Sequence, residues 1–187
     1  MKNKKTLGIT LGIVALVIIS IILLLIFKKP YVEPTFDHIE IPSTYSIINK
    51  TKWESLSKIT AVGLQELELD TVYVTLWPLS EKEKQTALPG RELLAHILSG
   101  GNNQYIIFIS EDNLYDRDYV KVLAHELIHL QQYQDGRITL DTRTGAVIYN
   151  GWPYDINSVE YDKRPWEIEA FEKSPQLQLK MIKRLYK

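Results

Sequence analysis

Apolar and polar positions recur along this chain with several different periods, and each period predicts an element. The longest apolar run is Leu7 to Phe27, 21 residues broken only by Gly8, Thr10, Gly12 and Ser20. As a helix such a run spans about 30 Å, the thickness of a bilayer's hydrocarbon core. It ends at Lys28-Lys29-Pro30 rather than at a small-residue cleavage site, so an uncleaved transmembrane helix is expected. Three lysines precede the run and two follow it. That bias favours a single-pass membrane protein whose C-terminal domain lies on the extracytoplasmic side. On this reading residues 1–29 form the anchor, with residues 7–27 touching membrane lipid. Residues 30–49, with Pro30, Pro34 and Pro42, form a stalk leading into the fold.

Beyond the stalk the periods shorten. From Trp53 to Glu68, Leu56, Ile59, Val62 or Gly63, and Leu67 follow an approximate helical repeat. Thr71 to Trp77 is rich in β-formers and reads as a strand ended by Pro78. Arg91 to Leu98 suggests a short helix stopped by Gly100 and Gly101. Gln104 to Ser110 is a second strand, whose continuous apolar run implies burial on both faces. A helix capped by Asp116 or Asp118 runs to about Gln134 and closes at Asp135-Gly136. Gly145 to Tyr149 suggests an edge strand to which an extended peptide could add. Pro165 suits the first turn of a last helix, and Pro175 should break or kink it before Leu177 to Tyr186. The sum is one α+β domain over residues 50–187.

Charge changes this picture in one respect. The whole chain has 22 basic and 23 acidic side chains, but five of the lysines lie in residues 1–29, which hold no acid. Taking those five away leaves 17 bases against 23 acids, a net −6 for residues 30–187. No basic patch is available to meet phosphates, so nucleic acid is not an expected partner, and basic partners are weakly favoured. With no cysteine in the chain, any transition-metal site must use nitrogen and oxygen donors.

The informative chemistry is His125-Glu126-Leu127-Ile128-His129. Residues four apart share a helix face, so both imidazoles can hold one ion. Glu126 lies beside them, where it can take a proton from an attacking water. Two of the chain's four histidines fall here, and His38 and His96 have no such spacing. A Zn2+ site is expected, and because no histidine follows His129 its third ligand must be a downstream carboxylate.

HELIH together with the downstream Tyr161-Asp162-Lys163-Arg164-Pro165-Trp166-Glu167-Ile168-Glu169-Ala170-Phe171 resembles the compact gluzincin-type zinc metallopeptidase domains. The resemblance covers about fifty residues. It implies a zincin-like fold with a small sheet and an HExxH active-site helix, here preceded by one N-terminal transmembrane helix. It also implies Glu167 as the third metal ligand, beside His125 and His129. Helical spacing agrees, because Glu167 shares a face with Ala170 and Phe171, whereas Glu169 groups with Glu172 and Lys173 and looks solvated. Glu169 remains the alternative ligand. Phe171 stands where those families commonly carry Asp or Asn, so support for a ligand histidine must come from elsewhere or be absent.

The implied activity is hydrolysis of peptide bonds in a peptide or protein near the membrane, with Glu126 as base. Tyr161 is the preferred phenol for stabilising the oxyanion, ahead of Tyr149 and Tyr154. Arg164 could pair with an acid of the active-site helix or with a substrate carboxylate, and a plain surface role fits it equally well. The alternative function is a catalytically weak, membrane-anchored zinc-binding module. Phe171 speaks for that alternative and Glu126 against it.

Overall fold

The computed structural model describes residues 34–86, 93–112 and 116–187. Its elements are β1 (Tyr45–Asn49), α1 (Ser55–Glu66), β2 (Val72–Pro78), a short α2 (Glu81–Thr86), β3 (Ala95–Gly101) and β4 (Gln104–Ile109). They continue with α3 (Asp116–Gln134), β5 (Ile138–Leu140), β6 (Val147–Tyr149), β7 (Trp152–Tyr154), a 3-10 turn at Tyr161–Lys163 and α4 (Pro165–Leu185). The α+β class expected from the sequence is the one observed.

Four strands form the main sheet in the order β1-β2-β4-β3, with β1, β2 and β4 parallel and β3 antiparallel to β4. Parallel neighbours need a crossover, and α1 supplies the one between β1 and β2. Val72, Val74 and Leu76 of β2 and Tyr105, Ile107 and Ile109 of β4 are buried, while Tyr73, Trp77 and Ile106 between them are exposed. Burial of β4 on both faces, expected from its apolar run, is therefore corrected. Its side chains alternate, and among the described residues helices cover one face of the sheet.

Behind that face lie α1, α3 and α4. Leu56, Ile59, Val62 and Leu64 of α1 are buried, each contributing about 1.5–3 kcal/mol. They meet Leu123, Leu127 and Leu130 of α3 and Leu177, Met181 and Leu185 of α4 in one core. Gly63 is where the three helices come closest. A Cβ there would lie 2.3 Å from Leu127 Cδ1 and 3.1 Å from Met181 Cε. At the other end of α3, Gly136 takes a positive φ of 68° and the Arg137 N–H donates to the Gln132 carbonyl, closing the helix.

Several expectations are corrected by this fold. Residues 95–98, placed in a helix by the sequence reading, belong to β3, paired along its length with β4. The glycines read as a helix stop open a hairpin turn, in which Gly101, Asn102 and Asn103 all have positive φ. Part of the expected stalk packs into the fold, since Phe36 and Ile39 are buried and β1 starts at Tyr45. The strand at Val147–Tyr149 is the middle strand of a small sheet ordered β5-β6-β7, so it has no free edge. Pro175 does not end α4, which is continuous through it. Both Pro175 and Phe171, whose carbonyl loses its usual donor, face solvent, where water can pair with that carbonyl.

The membrane expectation is also corrected. Among the described residues no helix is long and apolar enough to cross a membrane. The longest, α4, carries charge along its length, from Glu167 to Arg184. The run at residues 7–27 lies outside the described residues. Single-pass anchoring, the lipid contact, the extracytoplasmic placement and a membrane-proximal substrate accordingly have no support in the fold, and nothing below rests on them.

Candidate metal centre

Helix α3 is the central element of the domain, and its two sides differ. Leu123, Leu127 and Leu130 bury one side in the apolar core. His125, His129 and Gln132, spaced four and three residues apart, form a polar stripe on the other. Facing that stripe is the first turn of α4, which starts at Pro165 and brings in Trp166 and Glu167, both buried. Ala170, fully buried one turn later, leaves room for the approach.

The result is a cluster of three donor atoms. His125 Nε2 lies 3.2 Å from His129 Nε2 and 3.2 Å from Glu167 Oε2, and His129 Nε2 lies 3.3 Å from the same oxygen. Three ligands placed about 2.0–2.1 Å from a tetrahedral zinc ion are about 3.3–3.4 Å apart. The triangle matches that spacing, so the side chains fit a metal of this size as they stand. The cluster is able to chelate a metal ion.

Hydrogen bonding points to the same conclusion. Gln132 donates its amide Nε2 to the Trp166 carbonyl at 3.0 Å and to Glu169 Oε2 at 3.0 Å. Its Oε1 therefore faces His129 and accepts the Nδ1–H at 2.7 Å. With the proton on Nδ1, His129 Nε2 presents a lone pair to the triangle. A lone pair and a carboxylate oxygen facing each other need a cation between them. The acid–base properties carry the same imprint. Burial disfavours charge on His129, but Glu167 and Glu126 outweigh it and raise its pKa. Burial would raise the Glu167 pKa, but its bonds to His125 and His129 hold it well below the carboxylate range.

Support for His129, which Phe171 cannot provide, thus comes from Gln132. Gln132 is itself held by Glu169, which also binds Arg137 and Tyr149, and Lys173 at 2.5 Å. Glu169 is therefore not the solvated residue expected from its helix face, and it does not reach the histidines. Phe171 instead packs against His125, with ring centres 4.7 Å apart and the planes tilted by 49°. Neither Gln132 nor Glu169 was expected in these roles. The available signal was the position of Gln132, three residues after His129 on the same face.

Glu126 is buried and opens with His129 and Glu167 into a cleft of about 210 Å³. Burial raises its pKa. Tyr161 and Arg164 line the same cleft from the segment before α4, and Ala95 and Ile97 line it from β3. Burial and the adjacent Glu167 push the Tyr161 phenol far up in pKa. Tyr149 and Tyr154 lie elsewhere, packed around Trp166. His38 approaches the Arg184 carbonyl near the far end of α4, and His96 stacks on Phe108 at 4.7 Å, so neither joins the cluster.

The chain matches no known protein family and no curated protein in sequence. The resemblance to membrane-anchored gluzincin-type peptidases is corrected accordingly, since it lacks both a family match and a transmembrane helix among the described residues. What stands is a largely buried His-His-Glu cluster able to hold a metal, in an α+β domain consistent with a gluzincin-like arrangement.

Proposed function

We propose that the protein is a zinc-dependent hydrolase of peptide bonds, with His125, His129 and Glu167 as metal ligands and Glu126 as general base. The observation that carries this reading is the triangle of donor atoms, 3.2 to 3.3 Å on each side, with Glu126 opening into the same cleft. Two imidazoles and one carboxylate make a three-ligand set, which is the composition of a catalytic zinc site rather than a closed structural one. Zinc bound there supplies an acidified water at neutral pH and polarises the scissile carbonyl.

The chain's own residues do the rest. Glu126 accepts the proton of the attacking water and returns it to the leaving amine. Its burial raises its pKa, which makes it a stronger base than an exposed carboxylate. Tyr161 keeps its proton at neutral pH and is a donor for the oxyanion that develops on the substrate. Gln132 holds the His129 ring in the tautomer that leaves Nε2 free. Among the described residues β3 pairs only with β4, and its other edge is open to an extended peptide beside the cleft.

The test is metal content followed by activity. Purified protein is expected to hold one zinc per chain, and a diverse peptide library is expected to be cleaved. Glu126→Gln should keep the zinc and lose about 10²–10⁴-fold in rate. A protein without stoichiometric zinc refutes the metal site, and equal cleavage by wild type and variant refutes the base.

A further inference from the structure

The cleft contains one cation that the hydrolytic reading does not use. Arg164 precedes Pro165 at the start of α4 and lines the cleft with Glu126, His129 and Glu167. Its guanidinium is held in place: Nε donates to the Val159 carbonyl at 3.3 Å and Nη2 to the Ile156 carbonyl at 2.8 Å. Its flat face lies 5.4 Å from the centre of the Tyr161 ring. Those two bonds use two of its five N–H donors, leaving three. No carboxylate of the described residues pairs with it, although residues 30–187 carry six more acids than bases. The sequence left open whether Arg164 pairs with an acid of the active-site helix; Glu126 of α3 lines the same cleft, but no acid of α3 among the described residues forms an ion pair with Arg164.

A fixed guanidinium with donors to spare, beside a metal centre, is a receptor for a planar anion, and a carboxylate fits its fork in a bidentate manner. Beside His96 and Tyr133, the wall of the cleft is apolar, with Ile138, Val147 and Trp166 in it. At about 210 Å³ it is smaller than the roughly 300–1,000 Å³ of ordinary ligand pockets. It suits one apolar side chain with a carboxylate close by, rather than a long stretch of substrate. We infer that Arg164 determines substrate choice by binding a carboxylate next to the scissile amide, so that the preferred substrates are peptides carrying a carboxylate and an apolar side chain there. This inference rests on the hydrolase reading for its substrate, but the carboxylate receptor can be tested without turnover.

The carboxylate could be a peptide's free C-terminus or an Asp or Glu side chain, and the two sources separate experimentally. Matched peptides of the full-length zinc-loaded protein's cleavage set would be compared as free acids and C-terminal amides, and with Glu replaced by Gln. Wild type should favour one carboxylate form by tenfold or more in kcat/KM, mostly through KM. Arg164→Gln should abolish that preference, and Arg164→Lys, which keeps the charge but not the fork, should retain part of it. A preference for free acids identifies the C-terminus as the source, and a preference for internal Glu identifies the side chain. A loss confined to kcat would overturn the assignment and make Arg164 an oxyanion donor.

A binding measurement covers the case in which nothing is cleaved. 3-Phenylpropionate and its amide would be titrated into the full chain with and without zinc. The acid should bind at least tenfold tighter than the amide in wild type, with and without zinc, and that ratio should collapse in Arg164→Gln. Failure of cleavage with this ratio intact would refute the hydrolase and leave the receptor standing. A ratio that vanishes with zinc removal, survives Arg164→Gln, or never arises in wild type would overturn the receptor.

Discussion

The two sides of α3 are built on opposite principles. Toward α1, Leu123, Leu127 and Leu130 are fully buried among apolar side chains, and another apolar residue of similar volume serves there nearly as well. Toward α4, His125, His129 and Gln132 meet Trp166, Glu167 and Glu169 through directed bonds of 3.0 to 3.3 Å. There the element, tautomer and rotamer of each group matter. One side holds the helix in place, and the other uses that placement. The lesson is that stability and metal affinity should separate by face.

The largest effect should come from the apolar side. Leu127→Ala is expected to cost about 3–5 kcal/mol of stability, read by denaturant unfolding, while zinc affinity of the folded protein stays unchanged. A matching fall in affinity would break the comparison. Next comes the proposed ligand: Glu167→Gln should lower zinc affinity by well beyond the roughly 10–100-fold typical of a supporting residue. Glu169→Gln in the same zinc titration should stay within that range, and a reversal of the two would exchange their roles.

Gln132→Met removes the partner of the His129 Nδ1–H and sharpens the comparison further. It should weaken zinc by about 10–100-fold, with excess zinc raising the melting temperature of wild type more than that of the variant. For Leu127→Ala, free zinc at a hundred times its Kd should restore about 2.7 kcal/mol, as in wild type.

The smallest effect concerns acid. Burial would raise the Glu169 pKa, but bonds from Lys173, Tyr149, Gln132 and Arg137 hold it at about 2. A depressed carboxylate contributes stability above its ordinary range near 4.5 and loses it as pH falls through about 2. The stability of wild type should therefore decline between those values more steeply than that of Glu169→Gln, followed by circular dichroism in the metal-free state. Parallel curves would remove Glu169 from the account.

Much of the site was legible because its logic is local. His125, Glu126 and His129 lie within one and a half turns of helix, and their mutual placement follows from about 100° of rotation per residue. Glu167 and Ala170, three residues apart, are both buried as that rule expects, whereas Phe171, placed on the same face by the sequence reading, is half exposed. The misread parts depend on distant chain. Arg91 to Leu98 offers too few residues to separate a helical from a strand period, and pairing with β4, across the turn at Gly101 to Asn103, is what decides. Glu169 looked solvated beside Lys173 because its partners Gln132, Arg137 and Tyr149 sit 20 to 37 residues away. Apolar runs such as Gln104 to Ser110 say which residues are able to be buried. They do not say whether both sides of a sheet will be covered.

By itself, then, the sequence determined the helix that carries both histidines, the neighbouring carboxylate, the start of α4 at Pro165 and the α+β class. Those follow from repeats within a few residues, where backbone geometry leaves little freedom. Only the tertiary structure decided that Glu167 reaches the histidines, that Gln132 orients His129, and that no acid among the described residues pairs with Arg164 in the cleft. Each of these depends on how α3 and α4 pack, and packing is set by the sum of many weak contacts across the core rather than by any spacing along the chain.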